Sequence, residues 1–339
     1  GIQLTPQRQG AGDAAAGATD KRRLYQAVAW AEQQYRECLL RSAEAEPARR
    51  YLEKRGITAA SIDEFHLGFA PNQWDWLQRR ALSAGFNVKT LEAIGLVVPS
   101  SEGRKPYDRF RGRVLFSIRD VQGRPVGVGG RVLPETGSTS PAKYINSPET
   151  PLFAKSSLLY GLDVARDAIR KTGQAIVMEG YTDCIVAHQH GFPNAVAVLG
   201  TALGARHVQI LKRFAERIIL VLDGDEAGQK RTNEVLELFV AENVDLRIVT
   251  LPDDLDPCDF LQARGAEPFR AALAEGAVDA LEHAFRVMTR GIDMVRDVHA
   301  ASGALERLLA TVAKAPRLRP DTTRDDRFRE EKILQRLAA

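Results

Sequence analysis

Gln174-Ala175-Ile176-Val177-Met178-Glu179-Gly180-Tyr181-Thr182-Asp183 is an apolar run of strand length that ends in acid, and its pattern recurs downstream. Arg217 to Leu222 is followed by Asp223-Gly224-Asp225, and Asp245 to Thr250 by Asp253, Asp254, Asp256 and Asp259. The segments between these runs have helical character: Asp183–His190, Ala205–Ala215 and Glu226–Ala241, with a further short strand at Asn194–Leu199. Strand and helix alternating through short connections predict a compact parallel βα sheet of roughly 90 residues. In such a sheet ligands bind in the crevice beyond the carboxyl ends of the strands, so the three acidic clusters are expected to converge there. Carboxylates gathered that closely repel one another unless cations neutralise them, and hard oxygen donors select magnesium or manganese. One Asp-Gly-Asp after a strand is usually only a turn. Acid at three strand ends of one βα series makes a metal site the better reading.

Upstream of the sheet the period is different. Leu24, Val28, Tyr35 and Leu39 recur at helical spacing within Lys21–Arg41, and short helices are expected at Arg49–Lys54, Trp74–Ala84 and Val88–Ile94. Val114–Arg119 and Pro125–Val132 then read as strands joined by a turn at Asp120 and Gly123. This gives an α+β segment over residues 21–170, the parallel βα unit over 171–262, and a helical segment over 263–339. Residues 1–20 are rich in Gly, Ala, Gln and Thr without a period and read as a flexible leader, and the absence of an initiator methionine reads as a fragment cut at a linker.

The chain has 339 residues, 44% hydrophobic and 27% charged, the composition of an ordinary soluble protein. No apolar run approaches the roughly 18 residues of a membrane span and no signal-peptide pattern opens the chain, so a cytoplasmic location with no membrane partner is the default. The three cysteines, Cys38, Cys184 and Cys258, have no C-x-x-C spacing, which argues against a disulfide framework and a zinc site. The net charge of +3 conceals an asymmetry. Residues 21–171 hold 25 Lys and Arg against 16 Asp and Glu, whereas residues 172–339 hold 21 against 26. A basic part joined to an acidic, metal-competent part fits polyanion binding and phosphate chemistry divided between units.

The basic part has a concentrated element, Arg109-Phe110-Arg111-Gly112-Arg113, at the start of one strand, and Gly129-Gly130-Arg131 near the end of the next. If these strands form a hairpin, the arginines come together into a cationic surface suited to a phosphate chain, because the planar guanidinium grips phosphate oxygens at two points. An exposed hairpin charged only for solubility is the plainer alternative. Lys143-Tyr144-Ile145-Asn146-Ser147-Pro148-Glu149-Thr150 adds a cation, a stacking ring and amide and hydroxyl groups in one loop, a mixture able to hold a nucleotide's phosphate and base.

On these residues the chain resembles the RNA polymerase core of bacterial DnaG-type primases, and its βα unit resembles the TOPRIM domain. Y-D-R-F-R-G-R-V, G-V-G-G-R-V, K-Y-I-N-S-P-E-T, L-Y-G-L, E-G-Y-T-D, L-G-T-A-L and V-L-D-G-D-E-A-G-Q-K stand in the family order between about Tyr51 and Leu261. The resemblance implies catalysis by Glu179, Asp223 and Asp225, with Asp183 and Asp256 completing a metal-binding cluster for more than one Mg2+ or Mn2+ ion. It places Arg109, Arg131, Lys143, Tyr144 and Lys155 along a template and nucleotide groove, to which the residue pattern adds Arg111, Arg113 and Asn146. The family's D-P-D is Asp256-Pro257-Cys258 here, with Asp259 following. Tyr181 is read as a packing residue at the strand-to-helix turn and not as a nucleophile.

The implied activity is primer synthesis: single-stranded DNA as template, ribonucleoside triphosphates as substrates and an RNA primer/DNA hybrid as product. A replicative helicase is the expected partner of a full-length protein, its binding domain being read as absent from this stretch, as is a zinc-binding module. A TOPRIM nuclease using the same acids and a single-stranded nucleic-acid binding module are the rivals. A type IA topoisomerase would need a larger body, and a fused helicase motor a G-x-x-x-x-G-K-[ST] loop that the chain lacks.

Overall fold

A computed structural model describes residues 11–100, 105–137, 142–222, 238, 244–293 and 296–313. The chain divides into two compact units, one of residues 1–166, 180–189 and 197–201, the other of 167–179, 190–196 and 202–339.

The first unit is organised by a long helix, α1 (Ala11–Arg41). Leu24, Ala27, Val28, Ala31, Tyr35, Cys38 and Leu39 recur at helical spacing and are all buried. The helix begins ten residues before Lys21, within the segment read from composition as a leader. Alanine accounts for the difference: it stands at positions 11, 14, 15, 16 and 18, and as the strongest intrinsic helix former it extends a helix without an apolar stripe to mark it. Short elements follow: α2 (Glu46–Lys54), α3 (Ala59–Glu64), β1 (Gly68–Ala70), α4 (Trp76–Ser83), α5 (Val88–Ala93), β2 (Val97–Val98) and β3 (Tyr107–Asp108). Thr58 and Asn87 cap α3 and α5 by accepting from the N–H groups of Ser61 and Thr90. The hairpin is present as β4 (Arg113–Arg119) and β5 (Pro125–Val132), joined in an antiparallel sheet of order β1-β4-β5-β6 by β6 (Tyr144–Asn146). β2 and β3 pair separately. α1 is fixed to β4 by Glu32, which accepts from Ser117 Oγ and pairs with Arg119 at 3.1 Å, the two charged side chains being largely shielded from water.

The chain continues along α6 (Leu162–Thr172) into the predicted alternation: β7 (Gln174–Met178), α7 (Tyr181–Gln189), β8 (Ala195–Ala197), α8 (Ala205–Leu211), β9 (Arg217–Leu222) and β10 (Asp245–Thr250). β7, β9 and β10 span the residues expected of them. The expected helix Glu226–Ala241 lies outside the described residues, apart from Leu238. α9 (Pro257–Arg264), α10 (Ala266–Glu275), β11 (Val278–Asp279), α11 (Ala280–Met288) and α12 (Val298–Ala313) follow. The five strands are ordered β11-β10-β9-β7-β8, with β7, β9 and β10 parallel and β11 antiparallel to β10. Ala175 to Met178 and Ile218 to Leu222 are buried without alternation, as expected of parallel strands covered on both faces. Helical character after Glu267 is interrupted by the short strand β11, which caps the sheet edge.

Candidate active site and nucleic-acid face

In the second unit the ladders set the ends of the parallel strands level. Val177 stands beside Leu220 and Leu222 beside Thr250, so Glu179 and the segment that begins at Leu251 leave the sheet from one edge. Glu179 follows β7 directly and is half-buried. Asp256 is the N-cap of α9 and accepts from the Asp259 N–H at 2.7 Å, with Pro257 in the first helical turn. Cys258 is fully buried, so the sulfur that replaces the family's last carboxylate sits inside the helix packing, and Asp259 is exposed. Asp253 is engaged by Arg264. Asp223 and Asp225 lie outside the described residues. The opposite edge of the same sheet is electrically closed: Arg217 and Arg247 pair with Asp245 at 2.6 and 2.7 Å. Burial pushes the Asp245 carboxyl up, but the two arginines outweigh it and hold it below the usual range.

The Glu179-Gly180-Tyr181-Thr182-Asp183 turn shows why glycine stands second. A Cβ on Gly180 would collide with the Asp183 carboxylate, which is buried in the first turn of α7. Tyr181 packs within the first unit. Its ring stacks on Phe116 at 4.8 Å and meets Tyr160 edge-on at 4.8 Å, and its hydroxyl donates to Asn146 Oδ1 at 2.6 Å. The approach is possible because Gly129 has no side chain: a Cβ there would overlap the Tyr181 ring. Burial holds the phenol far above its ordinary range, so Tyr181 packs, and a nucleophilic role has no physical support.

Asn146 was expected to meet a nucleotide. Its half-buried amide makes two contacts within the protein, accepting from Tyr181 and donating from Nδ2 to the Leu199 carbonyl at 2.7 Å, which ties Asn146, Tyr181 and Leu199 together.

The arginines of the hairpin separate by strand face. Arg113 is 1% exposed and donates to the carbonyls of Gly130 at 3.0 Å, Lys143 at 3.3 Å and Ala142 at 2.9 Å. Burial lowers its pKa, and its role is to pin the strand that carries Lys143 and Tyr144. This corrects the expectation of a phosphate contact: β4 is buried on both faces, so a residue at its start points inward. Arg131 pairs across the hairpin with Val114 and stays half-buried, with Nη1 donating to the Tyr144 hydroxyl at 3.1 Å. Arg109 directs Nε to the Gly95 carbonyl at 2.8 Å. Lys143 is exposed, Tyr144 is 38% exposed, and Lys155 is half-buried in a 3-10 turn whose backbone N–H is held by Glu149.

Sequence reasoning missed the partner of Arg111. Its guanidinium lies 4.0 Å from the Trp74 ring and 4.9 Å from the Tyr107 ring, while Nη1 donates to the Asp108 carbonyl at 2.5 Å. Trp74 is 64% exposed, and so offers an open ring face beside a fixed cation. Asp108 supports this arrangement from beneath. It accepts from the Leu77 N–H at 2.6 Å and Gln78 Nε2 at 3.1 Å, its own N–H donates to the Trp74 carbonyl, and burial raises its carboxyl to about 6. The available signal was a Trp in a Pro-Asn-Gln loop, a place where an apolar core does not call for one.

A level row of acidic strand ends on a parallel βα sheet, carried by the same chain as an antiparallel unit with a cation–aromatic face, defines a Toprim-type nucleic-acid enzyme core. Residues 176–261 match a Toprim-like family model, and residues 35–166 match the N-terminal domain of the DNA primase catalytic core. The DNA primase of Deinococcus radiodurans is 42% identical over 284 residues, 83% of this chain and 48% of that protein. A DNA primase domain from Pseudomonas aeruginosa superposes with a TM-score of 0.81 at 34% identity, covering 93% of this chain and 95% of that one. The RNA polymerase domain of Mycobacterium tuberculosis primase DnaG, solved with a double-stranded DNA oligomer bearing a 6-nucleotide overhang, superposes with a TM-score of 0.75 at 34% identity, covering 94% and 96%. The chain belongs to the DnaG primase catalytic-core family, and it spans about half the length of the curated relatives it matches or less.

Proposed function

We propose that this chain is the RNA-polymerizing core of a DNA primase, and that it extends RNA primers on single-stranded DNA by nucleotidyl transfer. The observation that carries the reading is the level carboxyl edge of β7, β9 and β10, where Glu179 follows one strand and an Asp-Gly-Asp the next. The primer 3′ hydroxyl oxygen attacks the α-phosphorus of a ribonucleoside triphosphate, the bond to the bridging oxygen breaks, pyrophosphate leaves, and the hydroxyl proton passes to solvent. In-line attack of this kind needs positioning and charge stabilisation more than a protein nucleophile.

The donors available at that edge are carboxylates, hard oxygen ligands that fit magnesium or manganese. Glu179, Asp223, Asp225, Asp183 and Asp256 would hold the ions, and the buried Cys258 leaves Asp259 as the nearest exposed acid in sequence. Bound metal would make the attacking hydroxyl more acidic and neutralise the leaving group. The half-buried Glu179 places a carboxylate at the sheet edge with only part of its aqueous shell, and the arginines at the other edge are already paired with Asp245.

Template binding falls to the first unit. Arg111, Trp74 and Tyr107 supply a ring face and a cation for an unstacked base and its phosphate, and Arg109, Arg131, Lys143, Tyr144 and Lys155 extend the basic surface. The Mycobacterium tuberculosis domain with its overhanging DNA supports the same class of ligand. In this reading residues 21–170 bind template and nucleotide, 171–262 carry the metal chemistry and 263–339 form a helical third part. Its setting is the replisome in the cytoplasm, beside a helicase, a reading supported by the DNA primase relatives. Among the described residues no helix is long and apolar enough to cross a membrane.

The test is primer extension on a primed single-stranded template with labelled ribonucleotides and Mg2+ or Mn2+. Template-dependent RNA from the parent chain, lost in Glu179→Gln, is the expected result. Metal-dependent cleavage of template without RNA synthesis overturns it in favour of a nuclease.

A further inference from the structure

Arg131 lies near two aromatic rings, one of which has no assigned role. Its guanidinium carbon is 4.5 Å from the Tyr51 ring centre and 5.5 Å from the Tyr144 ring centre. Tyr51 comes from α2, whose Ala48 and Leu52 turn into the core, leaving Tyr51 on the neighbouring face, half-buried. Its hydroxyl is buried without a well-formed hydrogen bond, and burial, with the Tyr144 phenol nearby, pushes its pKa well up. The contact Tyr51 makes with Arg131 is through its ring.

A guanidinium carries five N–H donors in its plane and none on its faces. With its guanidinium over the Tyr51 ring and Nη1 donating to the Tyr144 hydroxyl, Arg131 is held at two points with donors to spare. Among the described residues no carboxylate pairs with it. Two other arginines of the same hairpin show the difference. Arg124 also lies over a tyrosine, Tyr25 at 4.4 Å, but Asp120 neutralises it at 2.7 Å. Arg113 spends its donors on carbonyl oxygens. Arg131 alone of the three combines fixed orientation, free donors and uncompensated charge.

We propose that Tyr51 is a positioning residue for phosphate recognition: its ring holds the Arg131 guanidinium so that the free N–H edge meets a phosphate oxygen. This deepens the primase reading and rests on it, because the phosphate belongs to either the nucleic-acid backbone or the incoming nucleotide. Holding the fork before binding reduces the side-chain freedom lost when phosphate docks, so loss of the ring weakens affinity while the chemical step is untouched.

Primer extension with varied ribonucleotide and anisotropy with labelled single-stranded DNA are measured on Arg131→Ala, Tyr51→Leu, Tyr51→Phe and the double variant Tyr51→Leu/Arg131→Ala. Tyr51→Leu is expected to raise either the nucleotide KM or the DNA Kd by about 5- to 10-fold, the scale of a partly shielded cation–aromatic contact, with kcat within about twofold. A change in KM alone places the phosphate on the nucleotide, and a change in Kd alone places it on the DNA. Tyr51→Phe, which keeps the ring, restores most of the affinity, and Tyr51→Leu adds nothing in the Arg131→Ala background. The inference is overturned if Arg131→Ala is impaired while Tyr51→Leu matches the parent, or if Tyr51→Leu costs as much without Arg131 as with it. Parent-like values for Arg131→Ala instead remove the role of Arg131 itself, and the inference with it.

Discussion

In the antiparallel sheet β4 puts a guanidinium beneath three backbone carbonyls, whereas in the parallel sheet the acids of interest come after the last strand residue. The contrast follows from topology. β7 and β9 are buried along their length, so ionisable groups stand at their ends, whereas the less covered β10 carries Asp245 and Arg247, Asp245 pairing with both Arg247 and Arg217. β4 of the antiparallel sheet is covered on both faces too, yet the arginines near its start take opposite options. Arg113 is interior scaffolding, while Arg111, two residues earlier, lies against an exposed tryptophan. Charge at a parallel strand end is therefore informative by position, and charge in the hairpin only by its surroundings.

The largest expected effect tests the acidic edge. Glu179→Gln changes one oxygen to nitrogen with little change in shape, and is expected to lower primer extension by about 10²–10³-fold, the scale for losing one preorganised electrostatic group at a reacting centre. Its thermal melting and its affinity for single-stranded DNA stay near those of the parent. A loss of DNA binding equal to the loss of rate would place Glu179 in the binding face and break the contrast between the regions.

The second test sets Arg113 against Arg111. Arg113→Met removes a buried charged donor from the Gly130, Ala142 and Lys143 carbonyls, the last of which keeps the Val132 N–H, and is expected to cost about 2–3 kcal/mol of stability, read as a lower midpoint in urea unfolding. Arg111 is half-buried and makes one carbonyl hydrogen bond, so Arg111→Ala should move that midpoint less. The order reverses for DNA: Arg111→Ala lowers affinity and makes the salt dependence shallower by about one counterion. If Arg113→Met melted like the parent, the separation of scaffold from contact within R-F-R-G-R would fail. Trp74→Ala sharpens it further, with single-stranded DNA expected to bind about 5- to 30-fold more weakly and without change in salt slope, because a stacked base contributes ~1–2 kcal/mol and no charge.

These regions were unequally legible in the sequence. β5, β7, β9 and β10 stand at their expected bounds because apolar runs flanked by turn residues leave one register. The hairpin argument for a cationic surface failed at Arg113 because both faces of β4 are covered, so no alternation says which side is solvent. The structural contacts of Asn146 were hidden for another reason: its partners, Tyr181 and Leu199, are 35 and 53 residues away, and only tertiary structure brings them to its amide. Trp74 and Tyr107 are likewise separated in sequence by α4, α5 and β2, yet their rings meet at 5.3 Å. Even the start of α1 escaped an argument from apolar period, because alanine carries helix propensity without leaving a stripe to read.

The smallest expected effect concerns the support beneath the tryptophan. Asp108 keeps its proton in the folded chain up to about pH 6 because burial outweighs the Leu77 and Gln78 hydrogen bonds, whereas the unfolded chain loses it near the ordinary value of 3.8. Between those values the folded state binds more protons than the unfolded state, so this group's contribution to stability is fully present below about pH 4 and is lost as pH rises through about 6. Asp108→Asn cannot ionise, and its stability should be flatter across that window, by about 1–2 kcal/mol, in urea unfolding at stepped pH. The half-buried His66 titrates in the opposite sense: burial and its arginine neighbours lower its pKa, so it favours folding more as pH rises. Its slope is common to the parent and the variant and cancels in their difference. If the Asp108→Asn difference were constant from about pH 4 to 7, the carboxylate would already be ionised in the folded chain, and its charge would add to the hold of the Asp108 carbonyl on Arg111.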